Sequence, residues 1–129
     1  MAYLSCINPI AYVCYRVMPE SIDQMQRRIE QIKEALMKIG DMRPGSLSEQ
    51  YNVCGKSGCR CKDPKKPKRH GPYYQLSYTR SGKSKTEFVK KHMVAEVREQ
   101  IQNYAKFRKL TEDWVEFSVK IAQARKTET

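Results

Sequence analysis

The sequence predicts an α+β fold: a small antiparallel β-hairpin or three-stranded sheet, entered through a cysteine-rich loop and flanked by two long amphipathic helices. Three observations predict it. Apolar residues recur at helical spacing over residues 21–40 and again from residue 91 onward. Between them, residues 73–79 alternate as a strand does, with Tyr74, Leu76 and Tyr78 on one face and Tyr73, Gln75, Ser77 and Thr79 on the other. Residues 54–70 hold three of the five cysteines and one of the two histidines.

The bulk numbers bound what such a fold does. At 129 residues, with 40% hydrophobic and 30% charged, the chain suits one domain with a modest core. No apolar run approaches the ~20 residues of a membrane-spanning helix, so no membrane partner is expected. The formal net charge is +11, and it is concentrated. Residues 43–92 carry 13 Lys and Arg against 3 Asp and Glu, a local +10, whereas residues 1–42 count 5 against 5 and residues 93–129 count 7 against 6. Focused positive charge attracts polyanions. Residues 2–15 are uncharged and fairly apolar, but no positive stretch precedes them and Pro9 interrupts them, which argues against a signal peptide. Clustered thiols in a chain without that signal point to a reducing cytoplasm and to metal binding rather than disulfides.

The elements follow in order, in four segments. Residues 1–20 form an arm without a clean period, a short strand or a loosely docked segment. Met18 opens more ordinary sequence and is a natural start of translation, and Cys6 and Cys14 receive no role. Residues 21–40 form the first helix: Ile22, Met25, Ile29, Ile32, Leu36 and Ile39 are spaced 3, 4, 3, 4, 3. Ser21 with Gln24 fits a capping box, and Gly40 fits the position after the helix end. Residues 41–90 form the cysteine-site and hairpin module. A Pro44–Gly45 turn leads to a short strand at residues 50–53, the cysteine loop follows, and Gly71–Pro72 turns the chain again. Strands at 73–79 and 84–89 are joined by Arg80–Ser81–Gly82–Lys83, with Gly82 at a positive φ. Residues 91–129 form a long helix to about residue 124 and a polar tail. Its stripe of Val94, Val97, Ile101 and Tyr104 resumes at Leu110, Trp114, Phe117, Ile121 and Ala124 after a slip of phase through Phe107, which marks a bend or local overwinding.

The chemistry sits in the loop. Cys54, Cys59, Cys61 and His70 have the spacing Cys-x4-Cys-x-Cys-x8-His, a full tetrahedral set for Zn2+ that would pin the loop. His92 is the alternative fourth ligand. Cys59 and Cys61 would point to opposite sides of an extended chain, so both ligate only if the backbone turns at Arg60. Gly55 and Gly58 allow tight turns between the first two thiols. A fourth nearby cysteine, expected of an iron–sulfur cluster, is missing.

Around this set stand cations: Arg60, Lys62, Lys65, Lys66, Lys68 and Arg69, with Pro64 and Pro67 stiffening the loop. Arg80, Lys83 and Lys85 follow on the hairpin. Tyr73 is placed to stack on a base or sugar beside them. These ten residues are the candidate nucleic-acid surface, for DNA or RNA alike. No Ser–His–Asp pattern, phosphate loop or carboxylate pair accompanies them, so an enzyme is not expected.

Residues 43–117, with the run from RPGSLSEQYNVCGKSGCRCKDPKKPKRHGPYYQLSYTRSGKSKTEFV to the helix EVREQIQNYAKFRKL, resemble a family of small uncharacterised bacterial proteins encoded beside transposases and other mobile elements. The resemblance implies a mobile-element setting, with a transposase or recombinase as a possible protein partner, and no particular activity. More locally, PYYQLSYTRSGKSKTEFVKKHMVAEVREQI is similar to the arm-type DNA-binding module of phage integrases, a small antiparallel sheet followed by a helix. The expected function is therefore nucleic-acid binding by a zinc-stabilised accessory protein. The alternative is a protein-interaction scaffold whose helices pair with a partner or across a homo-oligomer.

Overall fold

The computed structural model describes residues 3–6, 14–17 and 19–128. The fold is α+β, as expected. Within the predicted arm, β1 (Tyr3–Cys6) and β2 (Cys14–Val17) pair antiparallel, with Cys6 opposite Cys14 in backbone register. The proposed start at Met18 lies outside the described residues. The described chain divides into two units: residues 38–109 form one, and the preceding residues with those from Leu110 onward form the other.

The helical unit is built on α1 (Ile22–Met37). Its start is the predicted capping box: the Ser21 N–H donates to Gln24 Oε1 at 3.0 Å and the Gln24 N–H to Ser21 Oγ at 3.2 Å. The helix stops at Met37, short of the predicted end at Ile39, and Gly40 does not take the left-handed conformation expected of a C-terminal cap. Met25, Ile29 and Ile32 are buried, and Met25 and Ile29 pack with Ile121 of α2 (Val94–Thr127), flanked by Ile22, Trp114 and Phe117. The two helices run in opposite directions, since Lys33 lies over the Trp114 ring while the earlier Arg28 lies over the later Phe117 ring. α2 extends three residues past its predicted end at 124.

The second unit is a three-stranded antiparallel sheet in the order β3 (Ser46–Asn52), β4 (His70–Arg80), β5 (Lys83–Val89), joined to the first part of α2. β3 is longer and starts earlier than the predicted strand at 50–53. β4 also starts earlier, and this changes the reading of Gly71–Pro72: it lies inside the strand instead of turning the chain ahead of it. Pro72 follows a cis peptide bond, opposite a shift of register between Gln50 and Asn52. A central strand tolerates proline only at such an irregularity. Gly71 has φ 137°, and a Cβ there would stand 2.7 Å from the Gln50 carbonyl oxygen. The hairpin turn has Ser81 at φ 51° and Gly82 at φ 72°, the two positive values a type I′ turn requires.

The register gives the sheet two faces. Leu47, Leu76 and Glu87 are cross-strand neighbours, as are Glu49, Tyr74 and Val89. This face is turned to α2: Leu76 is only 1% exposed, and Glu49 pairs with Arg98 of the helix at 3.7 Å. Val94 and Val97 supply the buried helical side. Arg43 binds α2 through its N–H to the Gln100 carbonyl and pairs with Glu87 at 3.3 Å. The phase slip of α2 between Tyr104 and Leu110 falls where the helix passes from one unit to the other. The earlier stripe serves the sheet unit and the later one serves α1.

Candidate metal centre

β3 delivers the chain to Cys54 and β4 takes it away at His70, so the sheet fixes both ends of the loop. Gly58, at φ 78°, makes the tight turn between the first two thiols. Gly55 does not take a positive φ, so of the two predicted glycines only Gly58 is used in this way. The turn required at Arg60 is present: Arg60–Lys62 form a single 3-10 turn, with the Lys62 N–H donating to the Cys59 carbonyl at 3.0 Å. It swings Cys61 to the same side as Cys59.

One ligand atom from each of Cys54, Cys59, Cys61 and His70 lies within 4.8 Å of all the others, close enough to hold a metal ion. Cys54 Sγ is 3.5 Å from Cys61 Sγ, and Cys59 Sγ is 3.2 Å from His70 Nε2. A tetrahedral ion with metal–sulfur bonds of about 2.3 Å sets its ligands roughly 3.8 Å apart, so the cluster has the right size. His92, the alternative fourth ligand, sits in a 3-10 turn at Lys91–Met93 outside this group.

Backbone amides tune the thiols. The Cys61 N–H is the largest influence on Cys59, and with the Cys54 and Cys61 sulfurs and His70 it draws that thiol down to about 6. The Lys56 N–H leads in lowering Cys54. Cys61 is 3% exposed, and burial pushes its thiol up, although the Cys54 N–H donates to its sulfur at 3.4 Å. The imidazole of His70 is held above its ordinary value by hydrogen bonds to Cys54 and Cys59. The site thus favours thiolate at two of its sulfurs, which is the ligating form.

The ten candidate nucleic-acid residues are all exposed, but they do not form one surface. Arg60 and Lys62 are in the 3-10 turn, and Lys65, Lys66, Lys68 and Arg69 are in the loop that follows. That loop is pinned to the metal-site turn, because the Lys68 N–H donates to the Arg60 carbonyl at 3.0 Å and Asp63 Oδ1 accepts from the Lys65 N–H at 2.9 Å. Tyr73 lies on the sheet face turned away from α2. Arg80, Lys83 and Lys85 lie on the other face and at the far end: Lys85 opposes Tyr78 and Lys83 opposes Arg80. Phe88 is the feature that sequence reasoning left out of the surface. It is 75% exposed and shares the open face with Tyr73. The signal available was its position between Glu87 and Val89, which both point to the helix side.

Among the described residues no helix is long and apolar enough to cross a membrane. No curated protein and no solved structure matches the chain. A family model does: the domain of unknown function DUF6788 matches residues 22–99, from the first turn of α1 through the cysteine loop and sheet into α2, and the chain belongs to that family.

Proposed function

We propose that this protein binds nucleic acid through a zinc-stabilised module and acts as an accessory to a mobile element, in the cytoplasm, as a binding protein and not an enzyme. The observation that carries the reading is the local +10 of residues 43–92, set on a loop pinned at its ends and middle and on the hairpin that follows it. Three thiols and an imidazole with no carboxylate form the donor set of zinc, and bound zinc would supply a redox-inert cross-link. Cys54, Cys59, Cys61 and His70 would hold it, and the backbone amides of Lys56 and Cys61, donating to the sulfurs of Cys54 and Cys59, would keep those thiolates charged. Lys65, Lys66, Lys68 and Arg69 then present their charge from a backbone that needs little further ordering to bind, which lowers the entropic cost of association.

Salt dependence tests it. Each phosphate neutralised releases counterions, so log K should fall against log salt by ~0.9 per contact on duplex DNA. Replacing Lys65, Lys66 and Lys68 together with Gln should flatten that slope by about 2 to 3 while metal content stays unchanged. A folded, metal-loaded protein that binds DNA and RNA more weakly than ~100 μM at low salt, beyond the weak end of non-specific binding, would remove the reading. A scaffold role is the second reading, and one observation favours it: Val115 and Val119 of α2 are 63% and 50% exposed. A transposase, another protein or a second copy of the chain would be the partner there.

A further inference from the structure

The open face of the sheet is chemically unlike everything else in its unit. Ser48, Gln75 and Phe88 stand side by side across the three strands, with Gln50 beside Tyr73 at one end and Ser77 beside Thr86 toward the other. The hydroxyls and amides are joined into rows: Ser77 and Thr86 are 3.3 Å apart, and Gln50 Nε2 donates to Gln75 Oε1. Among the described residues no carboxylate lies on this face. Of the three acids in residues 43–92, Glu49 and Glu87 are on the helix side, held by Arg98 and Arg43, and Asp63 is used within the loop.

Two aromatic rings interrupt the polar face. Phe88 is 75% exposed and Tyr73 44% exposed. Phe88 opposes Gln75, two residues along β4 from Tyr73, so the two rings are diagonal neighbours, with backbones roughly 7–8 Å apart. Both stand at the end of the sheet where β4 begins and β5 finishes. Cations bracket that end in the chain: Lys68 and Arg69 immediately precede β4, and Lys90 and Lys91 follow β5.

An exposed phenyl ring has no polar group with which to read a base edge, and edges are what a duplex groove presents. What it offers is a flat apolar face, and a base offers the same only when it has left its stack. The backbone spacing of such diagonal positions, roughly 7–8 Å, is about twice the 3.4 Å between stacked bases, which suits two bases parted from each other. We infer that this face is a stacking platform for single-stranded nucleic acid. Tyr73 and Phe88 each take one base, Gln75 and Ser48 meet base or sugar edges, and Lys68, Arg69, Lys90 and Lys91 meet the flanking phosphates. The inference rests on the nucleic-acid reading above and narrows it to one class of strand.

The test uses the full metal-loaded chain and three labelled probes, a twelve-nucleotide dT strand, the matching U strand and a mixed-sequence duplex, followed by fluorescence anisotropy. The single strands should bind tighter than the duplex. Phe88→Ala and Tyr73→Ala should each weaken single-strand binding by about 5- to 150-fold, the range for one stacked base, while metal content and the salt slope stay as they were. Phe88→Trp should retain most of the affinity. The dT and U probes decide between DNA and RNA. A duplex bound at least as tightly as either strand, or Phe88→Ala within twofold of wild type, overturns the platform; the lysine-dependent salt slope would then still uphold nucleic-acid binding. A protein that binds none of the three probes overturns both.

Discussion

The helical unit and the sheet unit are held by different kinds of force. In the helical unit, Met25, Ile29, Ile32 and Ile121 are buried, and Trp114 and Phe117 cover the flanks of that core. It is cohesion by apolar burial, spread over many small contacts. The sheet unit spans 72 residues, yet Leu76, Val94, Val97 and Cys61 are its buried apolar side chains. A three-stranded sheet covered on one face by part of a helix has little area from which to draw stability, and here that scarcity coincides with a four-ligand cluster. Stability and charge are therefore separable: the unit with the local +10 has the small core, and a metal cross-link would tolerate surrounding cations that an apolar core would have to push to its rim.

Loss of the proposed zinc should upset this contrast most strongly. Structural zinc contributes apparent free energies of roughly 10 kcal/mol or more in small domains, more than the sheet unit's core can replace. Cys59→Ser, or a strong chelator, should abolish amide protection across β3, β4 and β5 while α1 keeps its protection. Segment-resolved hydrogen exchange with elemental analysis checks this. Unchanged exchange in the strands after the metal is removed would show that the sheet stands on its own core.

Acid should do the same more gradually. Cys59, drawn down to about 6, is a thiolate above that pH and a thiol below it. Its readiness to ligate is therefore present at neutral pH and fades as pH falls through about 6. His70 is held above its ordinary value and so begins to take up a competing proton before an unperturbed imidazole would. Metal affinity should therefore fall as pH drops from 8 toward 5, measured by competition with a chromogenic chelator. An affinity that does not change between pH 8 and pH 5 would mean that other ligands hold the ion.

The helical unit is broken by different chemistry. Ile29→Asp places a carboxylate in the cluster of Met25 and Ile121, and Trp114→Ala removes the largest ring at its edge. Each should cost about 3 to 5 kcal/mol, read as a lower midpoint in urea, with the metal still bound at one equivalent. If both variants melt like the wild type, apolar burial is not what holds this unit.

Much of this was legible in the sequence, and the failures share a cause. The α1 stripe from Ile22 to Leu36, its capping box, the hairpin turn and the clustering of Cys54, Cys59, Cys61 and His70 are all local patterns, and each appears where its spacing put it, whereas Ile39 of the predicted stripe lies beyond the helix. β3 was underestimated because only one of its faces is covered, and on that face Glu49 replaces an apolar residue by pairing with Arg98. Gly71–Pro72 reads as a turn until the irregularity opposite Gln50 is known. The basic residues read as one surface because sequence proximity does not report which side of a sheet a residue faces. Register places Lys85 opposite Tyr78 and Phe88 opposite Gln75, and so separates cations from rings that stand close together in the chain.

The smallest expected effect is the most local. At the start of α1, Ser21 and Gln24 exchange two hydrogen bonds, and Glu20 pairs with Arg28 at 2.6 Å just ahead of them. Ser21→Ala deletes the acceptor for the Gln24 N–H and leaves the bond from the backbone N–H of residue 21 to Gln24 Oε1 in place. Capping losses of this kind cost about 1 kcal/mol. Both residues are exposed, so water takes over the freed amide and the loss belongs at the lower end. Ser21→Asp keeps an acceptor and adds a negative charge at the positive end of the helix dipole, so it should recover most of the stability. The measurement is the exchange rate of the first-turn amides together with the urea midpoint: faster exchange at Gln24 in Ser21→Ala, restored in Ser21→Asp, with strand protection and metal content unmoved in both. A loss of several kcal/mol, or any change in metal content, would mean that the cap supports more than its own helix and that the two kinds of cohesion are not separable after all.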